Sequence, residues 1–350
     1  MHQMHQLAGF ASFGIDVGHS SVKVAAAMLN RPTLRHVATI PTVVIPAIDM
    51  PDDETARRVA LNTVMVDGAA YIFGDSAIAQ GMPAGFSGES RDWIATHVHD
   101  VLIVGAWQRA MSMIDCRPQV IHLALGLPSA FFKTQKDALK LRVTELLRAY
   151  LAPGQQLVIL VQPQAAVPLK NLQHLPDGLP DPVYREAFDS WAVIDIGHFT
   201  TDFSILLKTE FQAVGGDSIG GASKVYSAVR AEFNSRGYSD ELASVDEAIK
   251  TGHVLHYGKH IDVSDIIDAA VQPLRSAIIN RAQTLLGSAA KRLNGVIVSG
   301  GIAPLVVDSI QGVFPNAVLD SNPSMSIAEG LCRFGLYAHH MWAEKYRTAA

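Results

Sequence analysis

The chain has 350 residues, 49% hydrophobic and 17% charged, a composition that excludes a disordered or low-complexity protein and suggests two domains. Its net charge of −5 excludes a general electrostatic attraction to nucleic acids or anionic membranes. The two widely separated cysteines, Cys116 and Cys332, argue against a disulfide framework and a zinc–thiolate site. Because Met1–Phe10 lacks a secretory signal and no apolar run is long enough to span a membrane, we expect a cytoplasmic protein.

Alternating strand and helix signals predict an α/β protein. Strands are predicted at Phe13–Val17, Val22–Leu29, Val120–Leu125, Leu157–Val161, Ala192–Ile196, Thr201–Leu207 and Gly295–Ser299. Helices are predicted at Trp93–Ile114, Thr134–Leu151, Ser218–Ser235, Val263–Leu286 and Met325–Trp342. Pro273 predicts a kink or a boundary within the fourth of these helices. The Pro- and Gly-rich stretch Leu175–Val183 separates two strand-bearing halves and is the expected domain connection.

A short internal repeat links the two halves. Ile15–His19 (IDVGH) recurs as Ile194–His198 (IDIGH), and each copy is followed by a hydroxyl-rich turn and a second apolar strand. Chance is the alternative for a match of five residues, but the matched flanking strands favour a true repeat. The sequence therefore predicts one strand–turn–strand unit in each half.

Each predicted turn combines residues that suit a nucleotide phosphate. Glycine permits backbone N–H groups to converge on an anion, and serine and threonine hydroxyls add further donors. Asp16 and Asp195 suit Mg²⁺ or its water ligands, and Lys23 could reach a phosphate. The alternative is that Asp-Gly pairs merely form good hairpin turns. Two such turns facing each other across a cleft would hold the phosphates from both sides.

A third element follows the two hairpins. The strand Gly295–Ser299 ends in Gly300-Gly301, where the absence of side chains allows a flat ligand such as adenosine to approach closely. Strand–Gly–helix turns are common in α/β proteins, so this signal is weak alone. Its position after the two hairpins makes it informative.

In this order the elements resemble the actin/Hsp70/sugar-kinase superfamily, and within it the bacterial plasmid-segregation actins of the ParM/StbA type. Phe13–Lys23 resembles their phosphate-1 segment, Ala192–Ser204 their phosphate-2 segment, and Gly215–Val229 the segment that follows. Ile327–Leu331 resembles their second connecting helix. The resemblance implies an actin-like two-domain ATPase fold, in which each domain is a mixed sheet with flanking helices and a smaller inserted subdomain. It places the domains at 1–180, with an insertion at about 31–88, and 181–350, with an insertion at about 216–263.

The resemblance also implies ATP or ADP and Mg²⁺ as cofactors, with Asp16 and Asp195 holding the water shell of the metal. The residues it places around the phosphates are Gly18, His19, Ser20, Ser21, Lys23, Gly197, His198, Thr200 and Thr201. Gly216, Asp217 and Ser218 would lie towards the sugar, and Gly300 and Gly301 behind the adenosine. His19 and His198 replace the small residues of many relatives, and each either points into solvent or donates to phosphate.

The first connecting segment departs from the family pattern. Where relatives often carry a glutamate that orients the hydrolytic water, this chain offers Gln162 and Gln164. A glutamine cannot act as a base but can position water, so we expect slow ATP hydrolysis. The alternative is that both glutamines only begin a helix.

By resemblance, the function is that of an ATP-dependent actin homologue that forms a head-to-tail filament and segregates or positions plasmid DNA. The acidic charge implies that DNA is held through an adaptor protein rather than directly. The alternatives within the superfamily are a small-molecule kinase and a non-polymerising nucleotide sensor.

Overall fold

The computed structural model describes residues 9–81, 92–185, 190–207, 210–212 and 217–347. The described chain alternates strands with helices and forms mixed sheets, which confirms the predicted α/β class. It divides into two compact units, Met1–Arg185 with Ile327–Ala350, and Glu186–Ser326. Among the described residues, no helix combines the length and apolar character needed to cross a bilayer.

The first half of the chain supplies most of the first unit. Its elements are β1 (Phe10–Val17), β2 (Ser21–Met28), β3 (Arg31–Pro41), β4 (Val44–Pro46), α1 (Asp53–Ala60), β5 (Thr63–Val66), β6 (Ala69–Phe73), α2 (Asp75–Ala79), α3 (His97–Ser112), β7 (Val120–Leu127), α4 (Ser129–Leu147), β8 (Gln156–Pro163), α5 (Pro168–Gln173) and α6 (Pro182–Arg185). Short 3₁₀ turns lie at Trp93–Ala95 before α3 and at Gln164–Ala166 after β8.

The second half forms the second unit and one further helix. Its elements are β9 (Ser190–Ile196), β10 (Thr200–Leu207), β11 (Glu210–Phe211), β12 (Asp217–Gly220), α7 (Ser223–Arg236), α8 (Leu242–Thr251), β13 (His253–His256), β14 (Lys259–Asp262), α9 (Ser264–Leu286), β15 (Gly295–Gly300), α10 (Val307–Gln311), β16 (Ala317–Leu319) and α11 (Ser326–Arg347). Helix α9 continues through Pro273.

The two central sheets repeat one topology. The strand order is β3-β2-β1-β7-β8 in the first unit and β11-β10-β9-β15-β16 in the second, where β12 also pairs with β10. In each sheet a hairpin, β1–β2 or β9–β10, is antiparallel, and its first strand pairs in parallel with β7 or β15. The five-residue sequence repeat is therefore the visible part of a repeat that extends over whole sheets.

Apolar faces of these sheets and their helices form a core in each unit. In the first unit Phe13 and Leu123 of the sheet are buried with Ile103 of α3. In the second unit Ile194 of the sheet is buried with Ile278 of α9. The hairpin strands thus have one end fixed in a close-packed interior, which positions the turns between them.

Helix α11 packs on the first unit although it follows the second unit in sequence. A Cβ atom on Gly14 of β1 would clash with the carbonyl oxygen of Ala328 and lie 2.5 Å from the backbone nitrogen of Cys332. The Ser12 hydroxyl donates to the Cys332 carbonyl at 2.8 Å. The missing side chain of Gly14 therefore allows close contact between β1 and α11.

The expected domain limits differ from this arrangement at two points. The boundary at 180/181 lies near the observed division after Arg185, but the last helix, expected in the second domain, belongs to the first unit. The first insertion was expected from about 31, yet Arg31–Pro41 pairs with β2 as the third strand of the central sheet. Its expected end near residue 88 lies outside the described residues.

The second insertion and the helix expected at Ser218–Ser235 also differ at their start. Asp217–Gly220 forms β12, because its backbone pairs antiparallel with Thr200–Phe203 of β10. The helix itself begins at Ser223.

Candidate nucleotide-binding residues

The first turn is held by short hydrogen bonds at the end of the β1–β2 hairpin. Val17 pairs with Val22, which leaves a four-residue turn, Gly18–Ser21. The Gly18 N–H donates to the Ser21 carbonyl at 3.2 Å, and the Thr42 hydroxyl donates to the Gly18 carbonyl at 2.7 Å. Thr42, which directly follows β3, therefore fixes the turn from outside the hairpin.

Asp16 lies at the end of β1 with its carboxylate between two side chains. It is only 3% exposed, its Oδ2 lies 3.5 Å from the Lys23 Nζ, and its Oδ1 accepts a 2.7 Å hydrogen bond from the Gln164 Nε2. Lys23 reaches it because the two residues are directly opposite in the hairpin. The structure thus brings together three residues that the sequence analysis selected separately.

The two candidate glutamines occupy different environments. A Cβ on Gly126 of β7 would lie 2.7 Å from the Gln164 Cγ, so this glycine provides the space through which Gln164 reaches Asp16. The Gln162 Nε2 instead donates to the carbonyl of Val161, its neighbour in β8. Gln164 is the stronger candidate for a role next to the phosphates.

The second turn repeats the first with a different register from the one that residue types indicate. Ile196 pairs with Thr201, so the turn is Gly197–Thr200. Thr200 therefore corresponds to Ser21 and Thr201 to Val22. The hydroxyl pairs Ser20-Ser21 and Thr200-Thr201, which the sequence analysis matched with each other, are offset by one position.

This register places Asp202 opposite Asp195, where the first hairpin has Lys23 opposite Asp16. Asp195 accepts a 2.7 Å hydrogen bond from the buried Ser299 hydroxyl, and Asp202 accepts one of 3.1 Å from the Thr200 hydroxyl. Burial raises the pKa of Asp202, and the hydrogen bonds from Ser218 and Thr200 only partly offset this effect. The sequence analysis gave Asp202 and Ser299 no role at the site, because their positions beside Asp195 depend on strand pairings that residue types do not show.

The second turn also rests on the start of α7. The N–H groups of Gly221, Ala222 and Ser223 donate to the carbonyls of Phe199, Gly197 and His198, at distances of 2.7, 3.0 and 2.7 Å. A Cβ on Gly221 would lie 2.5 Å from the Gly197 carbonyl oxygen. This turn therefore requires a glycine at position 221, which the sequence analysis did not select. The Gly220-Gly221 pair before α7 was the sequence feature that could have indicated it.

His19 and His198 both pack against aromatic rings. The His19 ring stacks on Trp93, with centroids 5.1 Å apart and planes at 26°. The His198 ring meets Tyr226 edge-on at 5.4 Å. Both histidines are half-buried, so these ring contacts limit their exposure to solvent.

Gly300 and Gly301 differ in their surroundings. Gly300 has φ +104°, and a Cβ there would clash with the carbonyl oxygen of Ile196, at the end of β9. Gly301 has no neighbouring atom within 4 Å of such a Cβ. Gly300 therefore allows the strand to turn against the second hairpin, whereas Gly301 leaves open space.

The remaining candidates lie on β12. Asp217 pairs with Arg281 of α9, and this hydrogen bond lowers the pKa of Asp217. Ser218 is exposed in the strand and donates to Asp202. Gly216 lies outside the described residues.

The residues at the two turns fit a nucleotide with Mg²⁺. At Gly18 an added Cβ would lie 2.8 Å from the Ser21 carbonyl oxygen, and at Gly197 it would lie 3.0 Å from that of Thr200, so a side chain would crowd the backbone of either turn. Hydroxyl groups and the Lys23 ammonium supply donors suited to phosphate, and Asp16 and Asp195 supply the oxygen ligands that Mg²⁺ prefers. Each unit has one such aspartate at the same place in its own sheet.

Two family models match successive parts of the chain. Residues 14–163 match the N-terminal domain of actin-like proteins, and residues 193–312 match the C-terminal part of the archaeal actin homologue MreB-like. Together they extend over both hairpins and most of the chain. A comparison with curated protein sequences finds no match.

Solved structures share the fold over nearly the whole chain. A 15-stranded ParM filament from Clostridium botulinum has a TM-score of 0.67 at 19% identity, covering 93% of this chain and 99% of its own. The actin-like protein Alp7A has a TM-score of 0.72 at 13% identity, with 99% and 100% covered. Bacillus thuringiensis ParM with ATP has a TM-score of 0.63 at 14% identity, with 96% and 99% covered. At these identities the likeness establishes the fold.

Proposed function

The chain belongs to the actin-like proteins, and from that premise we propose that it binds ATP with Mg²⁺, hydrolyses it slowly and forms filaments. The observation that carries this proposal is the repeated hairpin, which presents an aspartate at the same register position in both units. A hairpin turn alone would not require matching aspartates, each with its own hydrogen-bond donor. In the first unit this donor is Gln164, and in the second it is Ser299.

In this proposal both turns take part in nucleotide binding. Lys23 and the turn hydroxyls bind phosphate oxygens, and Asp16 and Asp195 would hold Mg²⁺ through its water ligands. When bound, ATP·Mg²⁺ supplies a polarised terminal phosphate that water can attack. Because the Gln164 NH₂ group donates to Asp16, its amide oxygen remains able to accept a hydrogen bond from that water. An amide orients water but removes no proton, so hydrolysis is slow.

The proposal of filament formation rests on the family rather than on the site. A head-to-tail contact between copies extends indefinitely when the operation that relates them does not close. Bound ATP would favour one conformation of the subunit and so lower the concentration needed for assembly. We propose that the filament moves or positions plasmid DNA through an adaptor protein, since the net charge of −5 disfavours direct DNA binding.

Sedimentation combined with ATP binding tests this function. The wild type should pellet with ATP·Mg²⁺ at micromolar protein concentration and return to the supernatant as ATP is consumed. With a non-hydrolysable ATP analogue it should stay in the pellet. Asp195→Ala should lose Mg²⁺-dependent ATP binding and Asp16→Ala should weaken it, because each removes a carboxylate from the water shell of the metal. Asp137→Ala, an exposed change on α4, is the matched control.

Two results would contradict the proposal at different levels. Unchanged ATP affinity in both the Asp16 and the Asp195 variants would overturn the two-hairpin assignment. Normal ATP binding by a protein that stays monomeric with every nucleotide would instead overturn filament formation and favour a kinase or a nucleotide sensor.

A further inference from the structure

A second group of polar side chains lies outside the two turns, where the β5–β6 hairpin meets α3. Asp67 is at the tip of this hairpin, and His97 and Asp100 lie on the first turn of α3. One candidate ligand atom from each of the three lies within 4.8 Å of the other two. We propose that this group binds a divalent transition-metal ion, such as Zn²⁺, that joins the small β4–β6–β5 sheet to α3.

The backbone places these three residues close together before any ion binds. Asp67 and Gly68 form a two-residue turn with φ values of +50° and +78°, as a type I′ hairpin requires. On α3, His97 and Asp100 are three residues apart and therefore project from the same face. The Thr96 hydroxyl caps this helix by accepting a 3.2 Å hydrogen bond from the His99 N–H.

The hairpin is also fastened to the body of the first unit. Val64 and Val66 of β5 are buried in its core, and the Tyr150 hydroxyl donates to the Met65 carbonyl. Arg109 of α3 donates to the Asn62 side chain at 3.0 Å, just before β5. These contacts set the distance between Asp67 and α3, so the ligands need little movement to bind one ion.

The distance between the candidate ligands favours an ion over a direct contact. The His97 Nδ1 and the Asp67 Oδ2 are 3.8 Å apart, which is too long for a hydrogen bond. Two ligands bound at about 2.0–2.2 Å from a single ion stand roughly 3–4 Å apart. Packing orients the His97 ring, which meets Tyr71 edge-on with centroids 4.5 Å apart.

The charges lead to the same conclusion. Asp67 and Asp100 bring two carboxylates together, and Arg142 of α4 compensates one of them by donating to both oxygens of Asp100 at 2.7 and 2.5 Å. The two carboxylates and the single Arg142 guanidinium leave a net negative charge for a cation to balance. Arg142 can stay in place as the group that orients Asp100, since metal-bound carboxylates are usually hydrogen-bonded themselves. Asp67 is 82% exposed, so the group is open to solvent and to an entering ion.

One imidazole nitrogen and two carboxylates form a ligand set of intermediate softness, suited to Zn²⁺ or Mn²⁺. Water would complete the coordination on the exposed side. This ion is separate from the Mg²⁺ proposed at the phosphate turns, so either proposal can fail without the other.

The test measures Zn²⁺ binding to the full chain, freed of metal and kept without nucleotide, by equilibrium dialysis and calorimetry. Wild-type protein should bind one ion that Asp67→Asn and His97→Gln each weaken at least tenfold. Asp67→Asn preserves the hairpin, because Asn-Gly is a preferred type I′ pair. Asp115→Asn and His260→Gln, exposed changes of the same types elsewhere, are the matched controls and should bind normally.

Circular dichroism of each variant confirms that the fold is retained. Absence of Zn²⁺ binding by the wild type would overturn the proposal. Binding that survives both site variants unchanged would also overturn it, since the ion would then lie elsewhere, for example at His2 and His5.

Discussion

Gln164 and Gln162 are two positions apart, and their side chains have different partners. Gln164 donates to Asp16, whereas Gln162 donates to the adjacent backbone carbonyl of Val161. We therefore expect Gln164→Ala to slow ATP hydrolysis by on the order of ten- to a hundredfold with little change in ATP affinity. The reason is that the Gln164 amide positions the attacking water. Gln162→Ala is the matched control and should hydrolyse at the wild-type rate. Phosphate release in single turnover measures both.

The reverse outcome, a slow Gln162 variant beside a normal Gln164 variant, would assign the water to the other glutamine. Equal, wild-type rates in both would remove the first connecting segment from the reaction.

Residue types predicted which side chains belong to the candidate site, but the strand register determines which of them are partners. Asp16, Lys23 and Gln164 were selected individually, and the structure groups them. Asp202 was not selected, because its position opposite Asp195 depends on a pairing that residue types do not contain. The hydroxyl pairs of the two turns differ in register by one residue for the same reason.

At the scale of elements, the turn after β15 depends on one glycine of a pair. Gly300 has φ +104° and no room for a Cβ, whereas Gly301 faces open space. Gly300→Ala should lower the free energy of unfolding of the second unit by roughly 2–4 kcal/mol, because it adds backbone strain to a clash with Ile196. Gly301→Ala should change it by about 0.5 kcal/mol or less.

Urea unfolding, monitored by hydrogen exchange in peptides of the second unit, measures this difference as a shift of the unfolding midpoint. If the two variants had equal midpoints, the close approach of Gly300 to β9 would not be a requirement of the fold.

Long apolar runs predicted the central strands well, since burial on both faces leaves an unmistakable pattern in the sequence. The strand β12 was predicted as the start of a helix, because Asp217–Gly220 is short and polar and acquires its conformation by pairing with β10. The strand β3 was assigned to the insertion, although its backbone pairs with β2. In both cases a long-range pairing overrode the local signal.

At the scale of the whole molecule, chain order does not coincide with the two units. Helix α11 returns to the first unit, where a Cβ on its Gly330 would lie 2.5 Å from the Val167 carbonyl oxygen. The sequence analysis matched Ile327–Leu331 to a connecting helix but assigned it to the second domain. The sequence pattern predicts a helix that contains small residues. It does not show which unit the helix packs against, because that depends on the close contact of Gly330 with Val167.

Among the described residues of the first unit, four histidines have lowered pKa values, chiefly because of burial. Burial lowers the pKa of His99 to about 3 and those of His174 and His339 to about 4, and it lowers the pKa of His122 as well. The positive charge of Arg142 lowers the pKa of His99 further. Unfolded histidines have a pKa of about 6.5, so below that value the unfolded chain binds more protons than the folded one.

The free energy of unfolding of the first unit should therefore be highest above pH 6.5 and should fall as the pH decreases towards 4. Hydrogen exchange of first-unit peptides at pH 7.5 and pH 5, corrected for intrinsic rates, measures this loss. His99→Leu should reduce the pH dependence, because a leucine side chain binds no proton on unfolding, whereas His260→Leu, at an exposed position, should leave it unchanged. Protection that is equal at both pH values in the wild type would mean that these histidines are protonated in the folded protein, contrary to the burial that lowers their pKa values.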